Sequence, residues 1–278
     1  MPASTSWPTS ACGCRLRKAT PARRSCSSTF CGTGLTGGFS MVGKLAVACA
    51  TATVVASMAW FPYDSVAGAR PGSVAGTVSF TGTAPAGNPV DMSSDPYCVD
   101  QHPATFSDMP VRTSSSNGLQ DVLVVVRDAP PGSAPPEEPA VLDQVGCVYT
   151  PRVVGLHTDQ TLIVRNSDET LHNVHVTAQN NRGFNIGQPL KGLQSRRTFT
   201  DAEDGIEVKC DIHAWMHGVI FVFDHSYFAV TDENGGFSIE GLPAGTYTIE
   251  AWHETLGTRT ETVVVPDGAA ATTSFTFG

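Results

Sequence analysis

Charge is scarce in this 278-residue chain: 15% of its residues are charged, and the first 63 hold no Asp or Glu. Charge so sparse excludes an acidic or basic disordered tail protein. The 27 glycines follow no three-residue period, which excludes a collagen-like chain. No helical period of useful length appears, so a helical bundle is excluded too. A Cys-x-x-Cys-His haem motif is missing. Basic residues are also few beyond residue 69, eleven against twenty-five acidic ones, a formal charge of −14. Such an acidic body argues against nucleic acid as the main partner. It suits a basic protein partner, although solubility alone is a sufficient reason for it.

The chain opens with a leader over residues 1–69. Residues 1–40 are rich in Ser, Thr, Arg and Cys without apolar periodicity. From Met41 the pattern sharpens into Lys44, an apolar stretch over Leu45–Phe61, and the small-x-small run Ala67-Gly68-Ala69. A basic start, an apolar middle and a small-residue cleavage site make a signal peptide over 41–69, with residues 1–40 an over-extended start. Two alternatives are a transit peptide ahead of an export signal, and an uncleaved segment that attaches the protein to a membrane. All three place the body outside the cytosol, periplasmic or secreted. The leader takes Cys12, Cys14, Cys26, Cys31 and Cys49, so the body keeps Cys98, Cys147 and Cys210. Three is odd, and in an oxidising compartment it suggests one disulfide and one thiol with another task.

The body reads as short strands separated by turns, with runs such as Val74–Phe80, Asp121–Arg127, Val148–Val154 and Val219–Phe223. The tail adds Phe237–Glu240, Thr246–Trp252, Arg259–Val265 and Thr273–Phe277. Asn234-Gly235-Gly236 is a hairpin signal, and Leu242-Pro243-Ala244-Gly245 a second turn. The class is all-β, a sandwich. Ala129–Ala140 holds five prolines and reads as a linker.

The chemistry lies between residues 172 and 217. Cys210, His213 and Met216 offer a thiolate, an imidazole and a thioether within seven residues, where one strand ends and the next begins. With a second imidazole these form the donor set of a blue copper centre. His172, in His172-Asn173-Val174-His175, supplies it from a distant strand. His175 should turn to the opposite face of that strand. His217 is an alternative to Met216, and His157, His225 and His253 read as surface or packing residues.

On these motifs the segment 145–224 resembles plastocyanin and amicyanin, in the cupredoxin family. The short Cys-x-x-His-x-x-Met spacing is similar to amicyanin's. The resemblance implies a Greek-key β-sandwich with one type 1 copper on His172, Cys210, His213 and Met216, and Asn173 tying the two ligand loops together. Leu171 departs from the family, which usually carries Pro there. Trp215, with Phe184, Ile186 and Pro189, would form an apolar electron-exit patch around an exposed edge of His213. Cys98 and Cys147 are expected to pair; the alternative is a second metal site using Cys98 and His102. Residues 228–278 resemble the carboxypeptidase regulatory-like, transthyretin-like domain, a second and smaller sandwich. They are too few to complete it, so strands near Val74 and Val124 would contribute. Asp232, Glu233 and Asn234 read as turn residues rather than a Ca²⁺ site.

The expected organisation is a leader at 1–69, a β segment at 70–130 that joins the last sandwich, a copper domain at 131–225 and the small domain at 226–278. The expected role is an exported electron carrier, not an enzyme, that docks on a basic redox protein. The alternatives are copper binding without electron transfer and a structural or adhesion role. A copper oxidase or nitrite reductase would need His-x-His pairs or a Cys flanked by His on both sides, and neither occurs.

Overall fold

The computed structural model describes residues 70–102, 106–130 and 134–278; the leader and signal peptide expected at 1–69 lie outside the described residues. The described chain is all-β apart from one six-residue helix, and it builds two β-sandwiches.

The first sandwich has a five-stranded sheet, in the order Phe184–Gln188, His172–Thr177, Glu203–Lys209, His217–Phe223, Val153–His157. It faces a four-stranded sheet in the order Gln194–Thr198, Thr161–Asn166, Ala140–Val145, Val148–Thr150. Alternation along the strands sends Leu162, Val164, Val174, Val176, Ile220 and Val222 into the core between the sheets. Leu156 is fully buried there, and truncating it to Ala should cost about 2–5 kcal/mol. A β-sandwich over this segment is what the resemblance implies.

The second sandwich pairs the strands Gly236–Leu242, Gly72–Phe80 and Ala270–Phe277 in one sheet. Its other sheet holds Phe228–Val230, Leu123–Val126, Gly245–His253 and Gly257–Val265. Chain from both sides of the first sandwich therefore completes it. Leu123–Val126 is buried on both faces, as its unbroken apolar run requires. Val124 and Val126 enter the core of the second sandwich, while Leu123 and Val125 meet Phe221, Phe223 and Val153 of the first.

Several expectations need correction. Val148–Val154 is two strands in different sheets, split at Pro151, which has no amide hydrogen to continue a ladder. Asn234-Gly235-Gly236 does not close a hairpin. The strands on either side of it pair in different sheets, so the turn crosses the sandwich. The same is true of Leu242–Gly245. The strands Ala140–Val145 and Phe184–Gln188 were not expected, because Asp143, Gln144, Asn185 and Gln188 break their apolar pattern. The helix Pro96–Gln101 was not expected either: six residues are too few to show a period. It has clear local signals, with Asp95 as N-cap and Pro96 at its first position.

Candidate metal centre

Sheet register brings the donors together. His172 opens the strand His172–Thr177, which pairs with Glu203–Lys209 through Lys209 opposite His175. Cys210 therefore leaves its strand beside His172. The loop to the next strand is closed by Cys210 N–H donating to Met216 O at 3.1 Å and Met216 N–H donating to His213 O at 2.9 Å. His213 N–H points at Cys210 Sγ, 3.4 Å away. His172, Cys210, His213 and Met216 are all buried.

The two imidazoles face each other, with His172 Nδ1 2.9 Å from His213 Nδ1. Cys210 Sγ lies 4.0 Å from the same His213 atom, and one donor atom from each of the three falls within 4.8 Å of the others. Met216 packs in the same apolar cluster as Cys210. Burial pushes the Cys210 thiol up, but its contacts with the His172 and His213 rings and with two backbone amides outweigh that and bring it down to about 5. Burial pulls His172 down, yet Asp168 and Cys210 leave it above its ordinary value.

Each imidazole also has a carboxylate at its far nitrogen. Asp168 Oδ2 is 2.9 Å from His172 Nε2, and Asp95 Oδ2 is 3.1 Å from His213 Nε2. Burial raises both carboxyls, but the donors around them hold both below the usual carboxylate value. An ionised carboxylate only accepts, so each Nε2 carries the hydrogen and each Nδ1 turns inward. Two facing nitrogens at 2.9 Å cannot both bear hydrogen, so the space between them and the thiolate calls for a proton or a cation. Two imidazoles, a thiolate and a thioether fit copper.

Asn173 joins the two loops. Its Oδ1 accepts from Asp211 N–H at 2.7 Å and lies 3.3 Å from Cys210 Sγ, and Tyr149 O–H donates to its carbonyl at 2.6 Å. His175 turns outward and pairs with Asp211 at 3.0 Å, away from the cluster. His217 lies among Arg152, Asp108 and Glu254. His157, His225 and His253 are buried, which removes the surface reading for them.

The exposed edge expected of His213 is absent. The ring is 1% exposed, because the segment before the first sandwich folds over it. Cys98, in the helix Pro96–Gln101, is disulfide-bonded to Cys147. Its Sγ lies 3.9 Å from His213 Nε2. The disulfide excludes the alternative metal site on Cys98 and His102; His102 instead meets Gly146 O and the Phe106 ring. Trp215 does pack on His213, with ring centroids 5.0 Å apart, and donates Nε1–H to Cys147 O at 2.9 Å. It lines a cavity of about 230 Å³ with Phe106, Met109, Tyr149 and Arg152. Phe184 does not join a patch at His213; it packs on the sandwich core and under Arg197.

Sequence reasoning missed Asp95 and Asp168. Asp168 stands four residues before His172 in the chain. Nothing in the sequence pairs Asp95 with His213, 118 residues away.

The fold and cluster define a two-sandwich protein: one β-sandwich with a buried imidazole–thiolate cluster, joined to a second β-sandwich that includes the tail. Residues 219–278 match the family model of the carboxypeptidase regulatory-like domain. No curated protein matches the chain. Among solved structures, the chain is similar to a Cu-containing nitrite reductase from Thermus scotoductus SA-01, with 23% identity and a TM-score of 0.29, over 34% of this chain and 25% of that one. It therefore spans about a quarter of that enzyme's length. It is also similar to a purple cupredoxin from Nitrosopumilus maritimus, with 21% identity and a TM-score of 0.26, over 30% of this chain and 99% of that one. A methionine-to-alanine variant of amicyanin in its Cu(I) form gives 20% identity and a TM-score of 0.28, over 36% of this chain and 98% of that one. Among the described residues, no helix is long and apolar enough to cross a membrane.

Proposed function

We propose that this is an exported protein that binds one type 1 copper through His172, Cys210, His213 and Met216 and exchanges single electrons. The observation that carries the reading is the convergence of two inward-facing imidazole nitrogens and a thiol lowered to about 5 in one buried pocket. Copper bound there would supply one-electron exchange between Cu(I) and Cu(II). The chain's own part is to hold its donors fixed. Asn173 ties the loops, Asp168 and Asp95 brace the rings, and burial of all four donors excludes water. Trp215 is the half-buried residue that reaches from His213 to the surface, and we assign it the electron's exit. A formal charge of −14 beyond residue 69 suits brief docking on a basic redox protein.

A second reading, copper handling without electron transfer, is favoured by the covered edge of His213. Two measurements on residues 70–278 decide the matter. Cu²⁺ should give one ion per chain and an intense blue band that Cys210→Ser abolishes; a colourless loaded protein refutes the site. Electron exchange with a basic cytochrome should then be fast, slow with added salt, and slow further in Trp215→Ala. A blue protein that exchanges electrons only very slowly, at a rate indifferent to salt and to Trp215, would establish the second reading.

A further inference from the structure

The residue that covers His213 also contacts its ring. Asp95 sits at the N-cap of the helix Pro96–Gln101, where its Oδ1 accepts Tyr97 N–H at 2.9 Å. That bond leaves Oδ2 for two donors, Thr170 Oγ1 at 2.6 Å and His213 Nε2 at 3.1 Å. The segment is held in place by three further contacts. Cys98 is bonded to Cys147, Tyr97 O–H donates to Asp168 at 3.1 Å, and Met92 with Phe106 packs around the disulfide. Asp168 is the matching group for His172, itself fixed by N–H groups of Gly146 and Cys147 at 2.7 and 2.8 Å. The disulfide partner Cys147 thus donates to Asp168 and is bonded to the helix that Asp95 caps.

We propose that Asp95 is a positioning residue of the metal centre. It is delivered from outside the copper-type sandwich by a disulfide-tethered cap, and it fixes His213 as the Nε2–H tautomer with Nδ1 toward the ligand space. The inference rests on the proposed function only for the identity of the metal. The physical ground is general: a ligating imidazole is oriented and made more basic by a carboxylate on its other nitrogen, and losing that partner typically costs ten- to a hundredfold in metal affinity. Here the carboxylate replaces what would be an open, water-facing edge. Asp95 therefore does two things, closing that edge and setting the ring's tautomer.

The test uses Asp95→Ala and Asp95→Asn in residues 70–278. Asn has one carbonyl oxygen where Asp95 uses two, so with that oxygen on Tyr97 N–H it retains the helix cap but turns an NH₂ donor toward His213 Nε2. Cu²⁺ and Zn²⁺ affinities would be measured by competition with a chromophoric chelator. Imidazole ¹⁵N shifts of the metal-free protein would give the tautomer of His213. Asp95→Ala should lose about ten- to a hundredfold in affinity for both ions, release the Nε2–H tautomer into a mixture, and move the copper reduction potential upward. Asp95→Asn should keep the parent's fold yet lose the Nε2–H tautomer and the affinity as Asp95→Ala does, which separates the ring contact from the helix cap. Unchanged affinity and an unchanged His213 spectrum in Asp95→Ala, with the parent's thermal stability, would overturn the proposal. The ¹⁵N readout needs no metal. A parent that binds Zn²⁺ but forms no blue copper site, with His213 dependent on Asp95, would refute the copper reading while upholding this one; a parent that binds neither ion would overturn both.

Discussion

His172 and His213 stand 41 residues apart in sequence, yet their Nδ1 atoms lie 2.9 Å from each other with Cys210 Sγ beside them. Both rings are turned inward by carboxylates, so the thiolate has positive or hydrogen-bonding neighbours on several sides. The metal-free protein should accordingly keep Cys210 ionised well into the acid range. Its thiol is lowered to about 5, so thiolate absorbance near 240 nm should persist at pH 7 and fall with a midpoint near 5. His172→Ala removes one donor and should move that midpoint upward by a unit or more. A midpoint near the ordinary thiol value of about 8.5 would contradict the packing of the cluster.

The disulfide should carry much of the stability of the cap. Cys98 and Cys147 are 49 residues apart, and closing a loop of that length removes roughly 4 kcal/mol of unfolded-chain entropy in the chain-entropy account. Serine at both positions should lower the melting temperature by many degrees, measured by calorimetry. A drop of under a degree or two would mean that the apolar contacts of Met92, Tyr97 and Phe106 hold the segment without the bond.

Two buried histidines give stability a predictable acid limit. His253 Nδ1 accepts Thr255 N–H at 3.1 Å, and His225 Nδ1 accepts Tyr227 N–H at 3.2 Å, so both rings need that nitrogen unprotonated. Burial is the main reason that both fall below the ordinary histidine value. The unfolded chain then takes up protons that the folded chain refuses. This contribution is complete above about pH 6.5 and is lost as pH falls below it. His253→Asn retains an acceptor oxygen near the Nδ1 position and cannot titrate, so its urea-unfolding free energy should fall less than the parent's between pH 7 and 5.5. Parallel curves for the two proteins would exclude His253 as a source.

The seam between the sandwiches has no spare room at Gly155. A Cβ there would stand 2.6 Å from the Phe228 ring. Phe228 packs on Phe223, and Phe221 meets Trp252 at 4.7 Å between ring centroids. Gly155→Ala should cost about 1–3 kcal/mol by overpacking, and Phe228→Leu in the same chain should recover part of it. A double-mutant cycle in urea measures the coupling; strict additivity would show that the ring moves aside freely.

Legibility followed the distance over which each signal acts. The strand runs of the tail were readable because alternation is local, and so were the turns at Asn234 and Leu242. That those turns cross between sheets was not readable, since a turn signal carries no information about the strand's partners. Ala140–Val145 is hard to read as a strand because Asp143 and Gln144, both buried, look like loop residues. Gln144 donates from Nε2 to Arg165 O at 2.9 Å and to Gln188 Oε1, which pairs its buried amide nitrogen. The helix at 96–101 could have been found from Asp95-Pro96, a capping signal that needs no period.

The sequence by itself determined the all-β class, the acidic body, and the donor types in order, His172, then Cys210, His213 and Met216 on one short loop. Such features are composition and spacing, and they survive without coordinates. Tertiary structure alone decided that His213 is covered rather than exposed. The covering depends on Cys98 meeting Cys147, and on Asp95 meeting His213 across 118 residues. It also decided that strands from 72–80 and 123–126 complete the sandwich of the tail. Contacts at such separations are fixed by packing of whole sheets and by a covalent bond, and no local pattern of residues encodes them.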